Sequence, residues 1–343
     1  MPIKSSGTLS FTNIKDEFGL PPNKNFGAYR ISQTVGGLSG LALDNDDNFN
    51  ALIPKSGQIR FSDFYDKRLN VIVDYHSKAE NRPSTGKSKY DGNKVTVLGG
   101  FKTRPTSTAG IKVYLHVNKD IGSAKGGSTV CALRTGSFSS SATVYVDVGA
   151  SGGVYGAGGN GGNGSGCGGG GNGGSGTSAL GVQTAGVKVR VKSGGRIQAG
   201  YGGGGGGGGG HNDPDKNTQD HASKGGGGGG GAGLPIGTGG AGGTGSFGKG
   251  DNGSAGSNGS KTGGGNGGGG GDGGGSEGGT GGDGGAPGDN AGNGGRGDGN
   301  VCEGGGGSGG GNGFAITKVS GKTFTIVSGG GNIYGSQGGI GVA

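Results

Sequence analysis

No apolar run in this sequence approaches the roughly 20 residues needed to cross a bilayer, so membrane insertion through a helix is not expected. The chain opens without a charged and then apolar leader, so a Sec-type signal is not expected either. Cysteine is scarce: Cys131, Cys167 and Cys302 are too few and too scattered for a disulfide framework or a zinc site, and are expected as isolated reduced thiols. Only 9 prolines accompany 105 glycines, and the long uninterrupted glycine runs break any Gly-X-Y period, which excludes collagen. Between Tyr201 and Gly313 there are 5 Lys/Arg against 10 Asp/Glu, with no basic runs and few aromatics. That balance excludes a glycine-arginine nucleic-acid binder. No nucleophile, base and orienting group can be grouped into a catalytic set, so neither enzymatic activity nor a cofactor is expected.

What the chain has in excess is glycine, and unevenly: 17 residues before Ser151 and 88 from there to the end. The net charge of +8 is also lopsided, residues 1 to 150 holding 19 Lys/Arg against 12 Asp/Glu. Two short segments in the first part repeat each other, "GTLSFTNIKD" from Gly7 and "GQIRFSDFYD" from Gly57. Each reads as an extended Gly-x-(Leu/Ile)-x-Phe piece, then Thr or Ser as the cap of a short helix with an acidic residue in its first turn. Their apolar anchors include Phe11, Ile14, Phe18, Phe61 and Phe64, with Tyr65 beside them.

The stretch "SGQIRFSDFYDKRL" resembles a Ser-Gly-x-Ile-x-(Phe/Met)-Ser-Asp-Phe-Tyr-Gly-Lys pattern of tail and fibre-associated proteins of tailed bacteriophages, and "TLSFTNIKDEFGL" resembles the element that precedes it there. Asp66 replaces the glycine of that pattern. The resemblance covers about 70 of 343 residues and implies a virion part, with Phe11, Ile14, Phe18, Phe61, Phe64 and Tyr65 attaching it to phage tail or fibre proteins.

From Leu69 to about Val148 the pattern becomes the alternation of half-buried strands, in "NVIVDY", "IKVYLHV", "STVCALRT" and "ATVYVDVG". The later half carries a repeat: "VYVDVGASGGVYG" from Val144, "VKVRVKSGGRIQAG" from Val187 and "FTIVSGGGNIYG" from Phe324. A structureless linker has no reason to repeat strand-plus-glycine units. An extended left-handed helix with three residues per turn sends its N–H and C=O groups outward, and many such helices pack closely only where side chains are missing. The nine-residue run Gly202–Gly210 and the seven-residue run Gly225–Gly231 would span about 28 Å and about 22 Å at a rise of about 3.1 Å. The strands around them supply core candidates Val187, Val189, Val191, Ile316, Val319, Phe324, Ile326 and Ile333. In composition and layout Ser151–Ala343 resembles the tip adhesins of T-even-type phages, which implies a sandwich of polyglycine-II helices with variable segments meeting a bacterial surface receptor.

The expected fold is therefore mainly β with irregular glycine-rich structure. It comprises a small α+β attachment module over 1–70, a β domain over 71–150, and a polyglycine-II bundle over 151–343 closed by C-terminal strands. The expected role is a tail-fibre or tail-tip adhesin of the virion binding a host protein or glycan receptor. The alternative is a purely structural tail-tip or baseplate component. An ice-binding reading would need flat, Thr-rich repeated faces, and the interruptions of the glycine lattice are irregular. Those interruptions, 211–224, 234–238, 246–262 and 286–303, must be loops or exposed edges, where recognition usually resides. The receptor-binding candidates are His211, Asp213, Asp215, Asn217, Gln219, His221, Leu234, Ile236, Phe247, Asp251 and Arg296. The His211, Asp213, Asp215, Asp220 and His221 spacing matches no common metal site, and no metal is expected.

Overall fold

The computed structural model describes residues 3–18, 57–65, 71–74, 90–91, 109–212, 221–244 and 250–342. The two early repeats begin alike, with Gly7 and Gly57 at φ of 87° and 79°, values that glycine alone adopts at little cost. Helix α1 spans Phe11–Phe18 and a 3-10 turn spans Phe61–Phe64. Both start at the Phe, two residues nearer the glycine turn than an extended Gly-x-(Leu/Ile)-x-Phe piece implies. The cap of α1 is Ser10, whose backbone N–H donates to Asn13 Oδ1 at 3.0 Å. In the second unit the Arg60 N–H donates to Asp63 Oδ2 at 2.7 Å. The Tyr65 hydroxyl donates to the Gly7 carbonyl and ties the units together.

Strands β1 (Val71–Asp74) and β2 (Tyr90–Asp91) precede a regular succession. It runs β3 (Lys112–Val117), β4 (Asp120–Gly122), β5 (Cys131–Arg134), β6 (Thr143–Val148), β7 (Gly153–Tyr155) and β8 (Ser178–Val182), then β9 (Val187–Val191) and β10 (Arg196–Gln198). After a long excursion containing β11 (Gly210–Asn212), β12 (His221–Ser223) and β13 (Cys302–Glu303), it resumes with β14 (Ile316–Lys318), β15 (Phe324–Ser328), β16 (Ile333–Tyr334) and β17 (Gln337–Ile340). The sheets have the orders β1-β3-β6-β9-β15, β16-β10-β7-β4 and β17-β14-β8-β5-β2, and every pairing in them is parallel. Successive strands visit the first, second and third sheet in turn, so the chain winds as a three-sided parallel β coil.

Register explains its core. Leu115, Val146, Val189 and Ile326 stack in one ladder; Ile121, Val154, Ile197 and Ile333 in the second; Leu133, Leu180 and Ile316 in the third. Apart from Ile326 and Ile333, at the final turn, each of these is fully buried. The sequence repeat starting at Val144, Val187 and Phe324 thus consists of β6, β9 and β15, neighbours in one sheet. The fold is mainly β, and its sheets run across residue 150, because each sheet contains strands from both compositional halves.

Half-buried strands are not what β3 and β6 are: both faces of each are buried. Tyr114 stacks on Tyr145 at 5.1 Å between ring centroids, and Arg190 pairs with Asp147 through Nη2 and Oδ2 at 2.8 Å. His116 Nδ1 lies 3.4 Å from Asp147 Oδ2, and burial holds the imidazole below its usual range against the pull of that carboxylate. Ile14 and Phe64, from the N-terminal units, join the same apolar cluster as Ile111 and Val113.

Two excursions leave the coil at equivalent corners, 156–177 between β7 and β8 and 199–315 between β10 and β14. Within them glycine segments alternate in direction: 156–165 runs out and 169–177 back, then 200–210 out, 224–233 back, 237–243 out, 251–260 back, 264–271 out, 278–285 back, 292–298 out and 304–313 back. Their backbone bonds recur every three residues. In 200–210, Gly203 and Gly206 donate to Gly174 and Gly171, Gly204 and Gly207 to Gly229 and Gly226, and Gly205 and Gly208 to Gly292 and Gly295. Its carbonyls accept from three other segments, for example Gly204 from Gly162, Gly205 from Gly282 and Gly206 from Gly307. Segment 224–233 is surrounded in the same way, and the described residues from Ala222 to Gly233 and from Tyr201 to Gly210 are all buried.

At the perimeter every third position is free of neighbours, and the non-glycine residues occupy that phase, as Asn160 and Asn163 do in the first segment. Their side chains hold the adjacent segment. Asn163 Oδ1 accepts the Ala241 N–H at 2.9 Å while the Gly164 N–H donates to the Ala241 carbonyl at 2.9 Å. Asn160 with Thr238, and Asn172 with Ser308, repeat this two-point clasp.

Two cysteines depart from the expected isolated thiols. Cys167 and Cys302, 135 residues apart, form a disulfide because both lie at reversals at the same end of the glycine segments. Cys131 is buried and free, and burial pushes its thiol up to about 12.

Candidate functional site

The reversals of the glycine segments fall at two ends. One end adjoins the coil, where the Ser123 N–H donates to the Leu234 carbonyl and Lys261 Nζ pairs with Asp120 at 2.7 Å. The other end is formed by β11, β12 and the reversals at 166–168, 272–277 and 299–303, remote from the coil because each segment runs straight between the two ends. At this distal end β11 pairs antiparallel with both β12 and β13, and the Cys167–Cys302 disulfide joins the reversals of the two excursions. The segments are continuous in their backbone bonding up to this sheet, so its residues are mounted on a rigid base.

The chemistry of the distal end is mixed and mostly acidic. Asp272, Glu277 and Asp298 follow one another through antiparallel bridges, and Asp251 bonds through its backbone to Asp272. Arg296, 66% exposed in its side chain, pairs with Glu303. Lys224 is buried and donates from Nζ to the Gly250 carbonyl at 2.8 Å. Val301 is 58% exposed, while its N–H is fixed on the His211 carbonyl at 2.9 Å. Among the described residues no group of three or more His, Cys, Asp or Glu is arranged to hold a metal ion.

The structure separates the residues that the sequence singles out. His211, His221, Asp251 and Arg296 belong to the distal end. Leu234 and the 37% exposed Ile236 sit at the opposite end, against the coil, where Gly122 packs on the Leu234 carbonyl. Asp213, Asp215, Asn217, Gln219, Asp220 and Phe247 lie outside the described residues. Val301 was not among the expected residues, and the signal for it is modest: an isolated apolar side chain beside a cysteine in a glycine-rich stretch. Of the N-terminal anchors, Ile14 and Phe64 are buried within the chain's own core, Phe11 and Tyr65 are half-buried, and Phe61 is 46% exposed. The side chain of Phe18 lies outside the described residues.

No family model and no curated protein matches this chain. Among solved structures, a chain of the gp37–gp38 adhesin tip complex of the bacteriophage S16 long tail fiber aligns over 93% of this chain and 99% of its own length, at 19% identity and a TM-score of 0.36.

Proposed function

We propose that the glycine segments are polyglycine-II helices packed as a bundle, and that the chain is a tailed-phage tail-fibre or tail-tip adhesin presenting the bundle's distal loops to a bacterial surface receptor. The observation that carries this reading is the combination of a three-residue bonding repeat, with 200–210 and 224–233 enclosed on all sides, and one of the two sets of reversals lying at the end away from the coil. Three residues per turn is the polyglycine-II geometry. Exposed, chemically varied loops on a stiff support are the usual arrangement for recognition. The N-terminal units, which carry the phage-like Gly-Gln-Ile-Arg-Phe-Ser-Asp-Phe-Tyr stretch, dock the chain onto tail or fibre proteins, with Phe61 as the contact most available to a partner. A disulfide joining the distal loops is compatible with exposure on a virion, outside a reducing cytosol. Binding is reversible and involves no chemical step.

The experiment is adsorption of fluorescently labelled full-length chain to a panel of bacterial strains, compared with Val301→Asp and Arg296→Glu variants. Saturable binding to some strains, reduced at least tenfold by the distal substitutions, supports the reading. A protein that binds no strain yet incorporates into particles is a structural tail-tip or baseplate component instead.

A further inference from the structure

A polar groove lies on the side of the glycine segments near the coil, away from the distal loops. It consists of two adjoining cavities of about 400 Å³ and about 580 Å³ that share Asp289 and Asn290 as lining. The first is floored by Tyr201, and the second continues between segments past Asn266, Asp283 and Asn293.

We propose that this groove is a binding site for a neutral oligosaccharide. Tyr201 is the observation that points to a ligand. The residue is only 4% exposed, its hydroxyl makes no hydrogen bond among the described residues, and it lines the cavity, so a bound polar group can supply the partner that tyrosine hydroxyls ordinarily have. That hydroxyl faces the cavity wall formed by Gly335, where an added β-carbon would stand 3.6 Å from it. Burial raises the Tyr201 phenol above its usual range, so it remains neutral and able both to donate and to accept.

The other lining groups have unused capacity of the same kind. Asn290 Oδ1 accepts from Asn312 at 2.8 Å, which leaves its amide N–H groups free. Asn293 Oδ1 accepts from Gly309 and Asp283 Oδ1 from Gly267, each leaving the second polar atom of the side chain unbonded. Among the described residues the side chains of Asn266, Asp289 and Ser336 make no hydrogen bond, and all three line the groove. Amide donors, carboxylate acceptors and hydroxyls therefore occur together in the groove. No lysine or arginine lines either cavity, which disfavours an anion, and Ala286 is the one aliphatic side chain, which disfavours an apolar ligand. A polyhydroxylated, uncharged chain is what such a set of paired donors and acceptors can satisfy. The combined space is that of a small-ligand site.

The test is a glycan array of neutral and acidic oligosaccharides, probed with labelled full-length chain, followed by titration calorimetry with the saccharide retained best. Retention of neutral oligosaccharides is expected, with affinity falling at least tenfold in Tyr201→Phe, Asn266→Ala and Asp289→Ala at unchanged melting temperature. The last two alter exposed side chains that make no hydrogen bond among the described residues, so they read the site even if Tyr201→Phe were to perturb folding. Val301→Asp, at the distal end, should bind saccharide as the wild type does, which separates this site from receptor adsorption. Retention of no oligosaccharide, retention of acidic ones alone, or binding indifferent to Asn266→Ala and Asp289→Ala would overturn the proposal.

Discussion

The coil and the glycine segments it carries are stabilised by opposite means. In the coil, stacked Leu, Ile and Val side chains are removed from water, each worth about 1.5–3 kcal/mol. In the segments little apolar surface is available beyond a small cluster of Ala199, Tyr201 and Ala232, and stability comes from backbone hydrogen bonds of about 0.5–1.5 kcal/mol net each, set against the large conformational entropy of glycine. The coil fixes the starts and ends of both excursions, through β7, β8, β10 and β14, and so restrains a region that has little apolar burial of its own. The two regions should therefore tolerate damage differently. A core accommodates a lost methylene by partial collapse, whereas a lattice closed by backbone on every side has no room for even one added carbon.

The sharpest contrast lies within the glycine segments themselves. A β-carbon at Gly206 would stand 2.0 Å from the Asn163 carbonyl oxygen, with backbone rather than a flexible side chain in the way. Gly206→Val is expected to abolish the ordered bundle, seen as rapid proteolysis from about Gly202 onward and loss of the cooperative melting transition. At Gly305, in the exposed phase of segment 304–313, an added β-carbon meets nothing within 4 Å. Gly305→Ala should be nearly silent. Equal effects at both positions would mean the segments are not close-packed.

In the coil the response should be graded. Leu180, fully buried between Leu133 and Ile316, is expected to cost about 2–5 kcal/mol on truncation to Ala, measured by denaturant titration, while the coil remains folded. Loss of the Cys167–Cys302 bridge should cost about 2–4 kcal/mol. Because the disulfide ties one excursion to the other at their far ends, Cys167→Ser should accelerate proteolysis there and leave the coil's melting unchanged.

The sequence made some of this legible for identifiable reasons. Gly7 and Gly57 mark the same left-handed turn twice, and the strands at Val144, Val187 and Phe324 are neighbours because their repeat is the repeat of the coil. The three-sided winding itself was hidden, since the excursions at 156–177 and 199–315 interrupt the period between strands that are adjacent in space. The disulfide was hidden because no spacing rule links two reversals 135 residues apart. The candidate loops divided between two ends for a related reason. Whether a turn faces the coil or points away depends on how many reversals precede it, so Leu234 and Ile236 follow a returning segment and end up against Gly122. Composition identifies both as interruptions and carries no record of direction.

The smallest expected effect tests whether the perimeter asparagines are structural. Asn163 looks like a surface side chain available for recognition, yet its Oδ1 accepts the Ala241 N–H and its neighbour Gly164 binds the Ala241 carbonyl. Removing the acceptor in Asn163→Ala leaves one N–H of segment 237–243 dependent on water, a loss of about 0.5–1.5 kcal/mol. Asn163→Asp keeps an oxygen in the same place and should be nearly neutral, since only the outward-facing amide N–H groups are replaced. If the clasp holds the edge, amide hydrogen exchange at Ala241 should quicken in the Ala variant and stay slow in the Asp variant. If both variants exchange like the wild type, the edge is held by the Gly164 bond alone, and Asn163 is free to meet a ligand.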